Sequence, residues 1–376
     1  MQKQLTDCLA RVNSLIEQKE PDNSSLFYGR AGLLYYYHHV FRFTGNYIYL
    51  GKCKQLFGAL METHFAQGAA CKDVSFVNGI TGVCSVLHAL RRQNLLNRLP
   101  SVVAETDEYL YHFCMNERVP CTFNFMEGTA GITSYFCKQT PTPLVRKYLD
   151  YITDHLFIHH EPVHAETEIN FTLWQGVSGT IHLLFRLLHI FPEKAALRFT
   201  LLHYLQLLRS HTLQIDTGLN RVGFFPASAN RQTGLINAPN CLFWETGDLP
   251  VAHIFYKAYS FFGDKEYKKI ADLAGAFTLT RKDAEQTLVN HPGFRNGACG
   301  AALMYRLLER ESGLANYQKG YEFWLNRSVQ LFNQQINENA FLNREHDFVT
   351  GLPGMALTWL GYLHGRETGW AELFLP

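Results

Sequence analysis

Two kinds of apolar stretch alternate along the chain. One is amphipathic, with apolar residues every three or four positions and charged residues between them, as in residues 144–156 (LVRKYLDYITDHL) and 317–332. That spacing predicts helices with one buried face. The other kind is apolar at almost every position, as in residues 32–37 and 181–190. Helices of that kind are buried nearly all round. The pattern therefore predicts inner and outer helices in alternation. The first 18 residues fit the outer type, with Leu5, Leu9, Val12, Leu15 and Ile16 at helical spacing.

A short glycine motif marks where each inner helix begins. Gly-x-x-Gly occurs at Gly29–Gly32, Gly79–Gly82, Gly128–Gly131, Gly176–Gly179, Gly297–Gly300 and Gly351–Gly354. A seventh copy, Gly247–Pro250, keeps the first glycine and replaces the second by proline. Successive first glycines are 50, 49, 48, 71, 50 and 54 residues apart. A near-constant period of that size marks a repeat fold, so the two or three domains that length alone suggests give way to one closed helical ring over residues 1–376. Aromatic or apolar residues precede each turn, and a glycine lets one backbone approach another closely. The ring is expected to bring seven helix N-termini together around a central hollow, each with open N–H groups and a partial positive charge. The one long gap holds residues 211–243, rich in Gly, Pro, Asn and Ser and without helical period. It is expected to be a long irregular loop.

Composition narrows the function. Lys+Arg number 34 against 33 Asp+Glu, a net charge of +1. No basic excess is available to neutralise phosphates, so a nucleic-acid partner is not expected. No apolar run reaches the roughly 18 residues of a transmembrane segment, and the N-terminal stretch lacks the apolar core of a signal peptide. Nine cysteines, with no CxxC pair, read as reduced thiols of a cytoplasmic protein.

With these turns in order, the chain resembles the lanthionine synthetase C family, the LanC-type cyclases, from about Leu26 to Leu360. Asn170-Phe-Thr-Leu-Trp-Gln-Gly-Val-Ser-Gly179 and Trp244-Glu-Thr-Gly-Asp-Leu-Pro250 carry the resemblance most closely. It implies an all-α (α/α)7 toroid acting on dehydrated precursor peptides. It also implies a zinc ion that activates a cysteine thiol for addition to a dehydroamino acid, forming a thioether ring. Zinc suits that step because it binds the thiolate and lowers its pKa.

The residues that the resemblance assigns to this chemistry have been replaced. The zinc ligands, a Cys and an adjacent Cys-His pair, correspond here to Glu245 and to Arg295-Asn296. The acid/base positions correspond to Asn124, Gln175 and Thr246, and a further Arg to Cys241. Trp244 and Asp248 are kept. Arginine has no lone pair to give a metal, and Gln and Asn do not transfer protons at neutral pH. No zinc and no catalytic residue is therefore expected. Glu245 and Arg295 are expected to form an ion pair that ties adjacent turns in place of the metal.

Other constellations are weaker. His159, His160 and His164 suggest a metal cluster, but Pro162 interrupts them. His182 and His253 each follow a turn by the same interval and are expected to face one central space. Cys299 reads as a buried thiol. A glycosidase-like carboxylate pair, from Glu245 with Asp248 or from Glu127, lacks a clear second acid. Two functions remain. One is a non-catalytic pseudo-cyclase that binds a precursor peptide or a lanthipeptide dehydratase. The other is a zinc-independent cyclase working on a substrate thiolate.

Overall fold

The computed structural model describes residues 1–65, 73–116, 124–158, 167–216, 222–365 and 369–376. Seven inner helices span Arg30–Thr44, Ile80–Arg92, Thr129–Cys137, Val177–Ile190, Asp248–Phe262, Ala298–Ser312 and Leu352–Leu363. Each begins directly after the first glycine of a turn. The outer helices are Gln2–Ile16, Tyr47–Thr63, Ser101–Cys114, Pro143–Thr153, Ala195–Ser210, Lys265–Thr278 and Asn316–Gln335. Every inner helix packs on the next, and the seventh packs on the first, so the inner layer closes. The helix Gln2–Ile16 completes the outer layer by covering the seventh inner helix with Leu5, Leu9, Val12 and Ile16. Among the described residues no helix is long and apolar enough to cross a membrane.

Backbone hydrogen bonds close the ring a second time, through the turns. The donors and acceptors run Phe27 N to Val77 O, Phe76 N to Met126 O, Phe125 N to Trp174 O and Leu173 N to Glu245 O. They continue from Trp244 N to Arg295 O, Arg295 N to Val349 O and Phe348 N back to Phe27 O. Such close backbone approach explains the glycines. A Cβ on Gly82 would lie 2.0 Å from the Phe76 carbonyl oxygen, a distance no side chain tolerates. Gly247 adopts φ +100, open to glycine at little cost.

Two expectations need correction, and one open question is answered. The helix N-termini do not present a set of open N–H groups. Arg30, Ile80 and Ala298 donate instead to the carbonyls of Asn23, Asp73 and His291, seven residues upstream. The segment after His211 is not wholly irregular. Ser228–Asn230 pairs antiparallel with Glu168–Asn170 and with Ile236–Asn237. Strands of two or three residues are too short to show alternation in sequence. The central hollow, which the sequence allows to be either open or plugged, is filled by aromatic side chains. One aromatic ring from each turn joins a continuous cluster: Phe27, Phe76, Phe125, Trp174, Trp244, Phe294 and Phe348. Phe374, from the 3-10 helix Gly369–Phe374, packs among Phe27, Phe294 and Phe348. The Trp174 indole donates to the Phe374 carbonyl (2.8 Å), and buried Lys138 donates to the carbonyls of Leu373 and Leu375 (3.0 and 2.6 Å).

Candidate functional site

The residue before each first glycine faces outward: Tyr28, Asn78, Glu127, Gln175, Thr246, Asn296 and Thr350 form a polar rim, each exposed or half-buried. The residue before that one points into the ring. In five turns it is apolar and buried, as Phe27, Val77, Met126, Trp174 and Val349. In the fifth and sixth turns it is charged, as Glu245 and Arg295. These two meet, Arg295 Nε donating to Glu245 Oε1 at 2.9 Å. The Glu245 side chain is 10% exposed and that of Arg295 is 28%. Burial raises the Glu245 carboxyl above its usual range, and the guanidinium offsets only part of that rise. Glu245 Oε2 is buried without a hydrogen-bond partner. The Arg295 guanidinium also lies 5.3 Å from the centre of the Trp174 ring, within reach of a cation–π contact.

The other sequence candidates divide by where they point. Gln175 and Asn296 are on the rim, and Thr246 stands half-buried beside them. Asn124 turns inward to its own loop, where Oδ1 accepts from Met126 N and Glu127 N. Asp347 caps the seventh turn in the same way through Val349 N and Thr350 N. Asp248 is fully enclosed, bonded by Arg281 at 2.6 Å and by the N–H groups of Phe224 and Phe225. It fastens the segment after residue 222 to the fifth inner helix and does not reach the rim. Cys241 and Cys299 are buried, and burial pushes both thiols up to about 12. A thiol of that kind stays protonated and is a poor nucleophile at neutral pH. Glu245 and Asp248 each engage an arginine, so they do not form a carboxylate pair. Tyr28, Asn78 and Thr350 are the rim residues that sequence reasoning missed. The Tyr28 phenol is raised by burial and by the nearby charge of Asp347, with Arg295 opposing. The place of these three before the first glycine, shared with Gln175 and Asn296, was the available signal.

A family model described as Lanthionine synthetase C-like protein matches residues 20–375. The chain belongs to this family. A solved structure titled Nisin cyclase superposes on the family member described here with a TM-score of 0.71 at 14% identity, covering 99% of this chain and 96% of that one. At that identity the likeness establishes the toroid. No curated protein sequence matches the chain.

The donor set of this LanC-like protein does not fit a zinc ion at the family position. Of Glu245, Arg295 and Asn296, one is a fixed cation, one is a neutral amide on the rim, and the remaining carboxylate is already bound by the cation. Among the described residues no other three His, Cys, Asp or Glu side chains are grouped to hold a metal. His159, His160 and His164 lie outside the described residues. His182 and His253 do come together, with ring centres 5.2 Å apart, but at the opposite mouth of the toroid.

Proposed function

We propose that this LanC-like protein serves the maturation of lanthionine-type ribosomal peptides in the cytoplasm as a metal-free, non-catalytic pseudo-cyclase. It binds the precursor peptide, or the dehydratase that modifies it, at the face that carries the turns. The observation behind this reading is the Glu245–Arg295 pair at two of the three positions where the family holds its zinc. With those positions joined to each other, the Glu245 carboxylate is engaged by a fixed cation and is not offered to a metal or to a substrate thiol. The Arg295 guanidinium and the amides of Gln175 and Asn296 remain hydrogen-bond donors at or beside the rim, a set suited to peptide carbonyls and carboxylates.

The test is incubation of the protein with a dehydrated, cysteine-containing precursor, with free thiols counted by alkylation and mass spectrometry. The expected result is saturable binding by calorimetry and ring formation no faster than in buffer. Metal analysis of the purified protein is expected to find less than about a tenth of an equivalent of zinc, far from the full occupancy of a resident site. Ring formation above the uncatalysed rate would overturn the reading in favour of a zinc-independent cyclase.

A further inference from the structure

The mouth opposite the turns carries polar groups that the turn face does not use. A cavity of about 480 Å³ opens there between the fourth, fifth and sixth inner helices and the segment Gly369–Phe374. His182 and His253 line it, both almost wholly buried. His182 Nε2 and both ring nitrogens of His253 have no hydrogen-bond partner. Glu311 Oε1 is 3.7 Å from His253 Nε2, too far for a hydrogen bond. Lys257 also lines the cavity and has neither hydrogen bond nor ion pair among the described residues. The hydrogen bond of Arg186 runs from Nε to the Pro376 main-chain oxygen at 2.8 Å, on one edge of its guanidinium. The two acids at this mouth, Glu311 and Glu372, both pair with Arg310.

A cation near a helix C-terminus is favourable by itself, through the helix dipole. The dipole does not account for imidazole nitrogens buried without a hydrogen bond beside a lysine that has no ion pair. Buried donors without acceptors are costly, and a ligand that brings acceptor oxygens removes that cost. Phe185, Phe261 and Leu375 supply an apolar wall.

We propose that this cavity binds a small organic oxyanion, a carboxylate or phosphate on a compact apolar body. The head sits between Lys257 and Arg186 and accepts hydrogen bonds from His182 and His253. The body lies against Phe185 and Phe261. This site is separate from the turn face, so its occupancy does not depend on the peptide-binding reading.

The experiment is calorimetric titration of the full chain with phenylacetate, phenyl phosphate and the neutral 2-phenylethanol, together with side-chain nitrogen NMR of the histidines. Saturable one-site binding of at least one anion is expected, with the neutral analogue roughly tenfold weaker or worse. The His182 and His253 nitrogen signals should shift on binding. Lys257→Met should weaken the anion by roughly tenfold, and Lys257→Arg should retain it. The ratio of phenyl phosphate to phenylacetate affinity assigns the head group. Absence of saturable binding by both anions, equal binding of the alcohol, or static His182 and His253 signals on the wild-type chain would each overturn the proposal, whether or not Lys257→Met folds.

Discussion

The two mouths of the toroid handle buried charge in opposite ways. At the turn face, Glu245 and Arg295 pair with one another, leaving only Glu245 Oε2 buried without a partner, and the remaining inward positions are apolar. At the far mouth, Lys257 has no ion pair, and imidazole nitrogens of His182 and His253 lie around a cavity without a hydrogen bond. The fold explains how both can exist on one repeat. The turn face is held by a closed ring of backbone hydrogen bonds, which any side chain can decorate. The far mouth is held by helix packing and by the segment Gly369–Phe374, whose carbonyls take donors from Lys138 and Tyr35. The Glu245–Arg295 pair is therefore not what closes the ring.

Acid should have the largest effect, because it charges imidazoles buried in the inner layer that both mouths share. The inner helices hold His38, His39, His88, His182 and His253. Burial lowers all five, His38 and His88 to about 4. A folded-state value below the unfolded 6.5 means that the unfolded chain binds the proton more readily. Stability is therefore full above about pH 6.5 and is lost as pH falls toward 4. His38 alone accounts for roughly 3 kcal/mol by pH 4, and the other imidazoles add to it. Glu311, held down to about 2 by His253, adds its loss only below its ordinary range near 4.5. Urea midpoints measured from pH 7 to pH 4 should fall continuously from about 6.5. A flat profile down to 4.5 would mean that carboxylates, not the buried imidazoles, govern acid unfolding.

The turn face should respond most to removal of a single partner. Arg295→Ala leaves Glu245 buried beside an already unpartnered Oε2. A loss of about 2–3 kcal/mol in urea unfolding is expected, somewhat below the range for fully buried pairs because Arg295 is partly exposed. Unchanged stability would show that Glu245 reaches water once Arg295 is gone.

Where the two mouths meet, Lys138→Met tests the central plug. It removes the donor from the carbonyls of Leu373 and Leu375 while keeping an apolar stem against Phe76 and Phe125. The expected loss is about 1–2 kcal/mol, with faster proteolytic trimming of residues 369–376. A segment that resists protease as well as the wild type would show that Phe374 and Trp370 hold it without Lys138.

The parts of this molecule that were legible in sequence are those that repeat. Seven glycine turns gave the ring, and the family resemblance, which set Glu245 and Arg295 at neighbouring ligand positions, gave their pair. The central plug was hidden because Phe374 and Trp370 lie far along the chain from most of the residues they touch, and no period links them. Asn124 was placed by family position, although its own neighbourhood held the better clue. An Asn two and three residues before free N–H groups is a turn cap, as Asp347 is. His182 and His253 were paired correctly from their equal spacing after the turn. That they open on a cavity depends on Lys257, Arg186 and Leu375, which come from two different helices and the plug.

The smallest expected effect is also the most discriminating. Glu245→Met with Arg295→Val gives the fifth and sixth turns the inward residues that Met126 and Val349 provide elsewhere in the ring. If the ion pair serves only to fill the old metal position, the double variant should keep the stability of the wild type within about 1 kcal/mol, or exceed it, since apolar residues commonly replace a buried pair without loss. The backbone bonds through Glu245 O and Arg295 O need no side chain and should persist. Peptide binding at the turn face should nevertheless fall, because the guanidinium above Trp174 is gone. A variant that is stable but no longer binds the precursor places the charges in recognition. A variant as unstable as Arg295→Ala places them in the framework, and the contrast between the two mouths would then be one of packing alone.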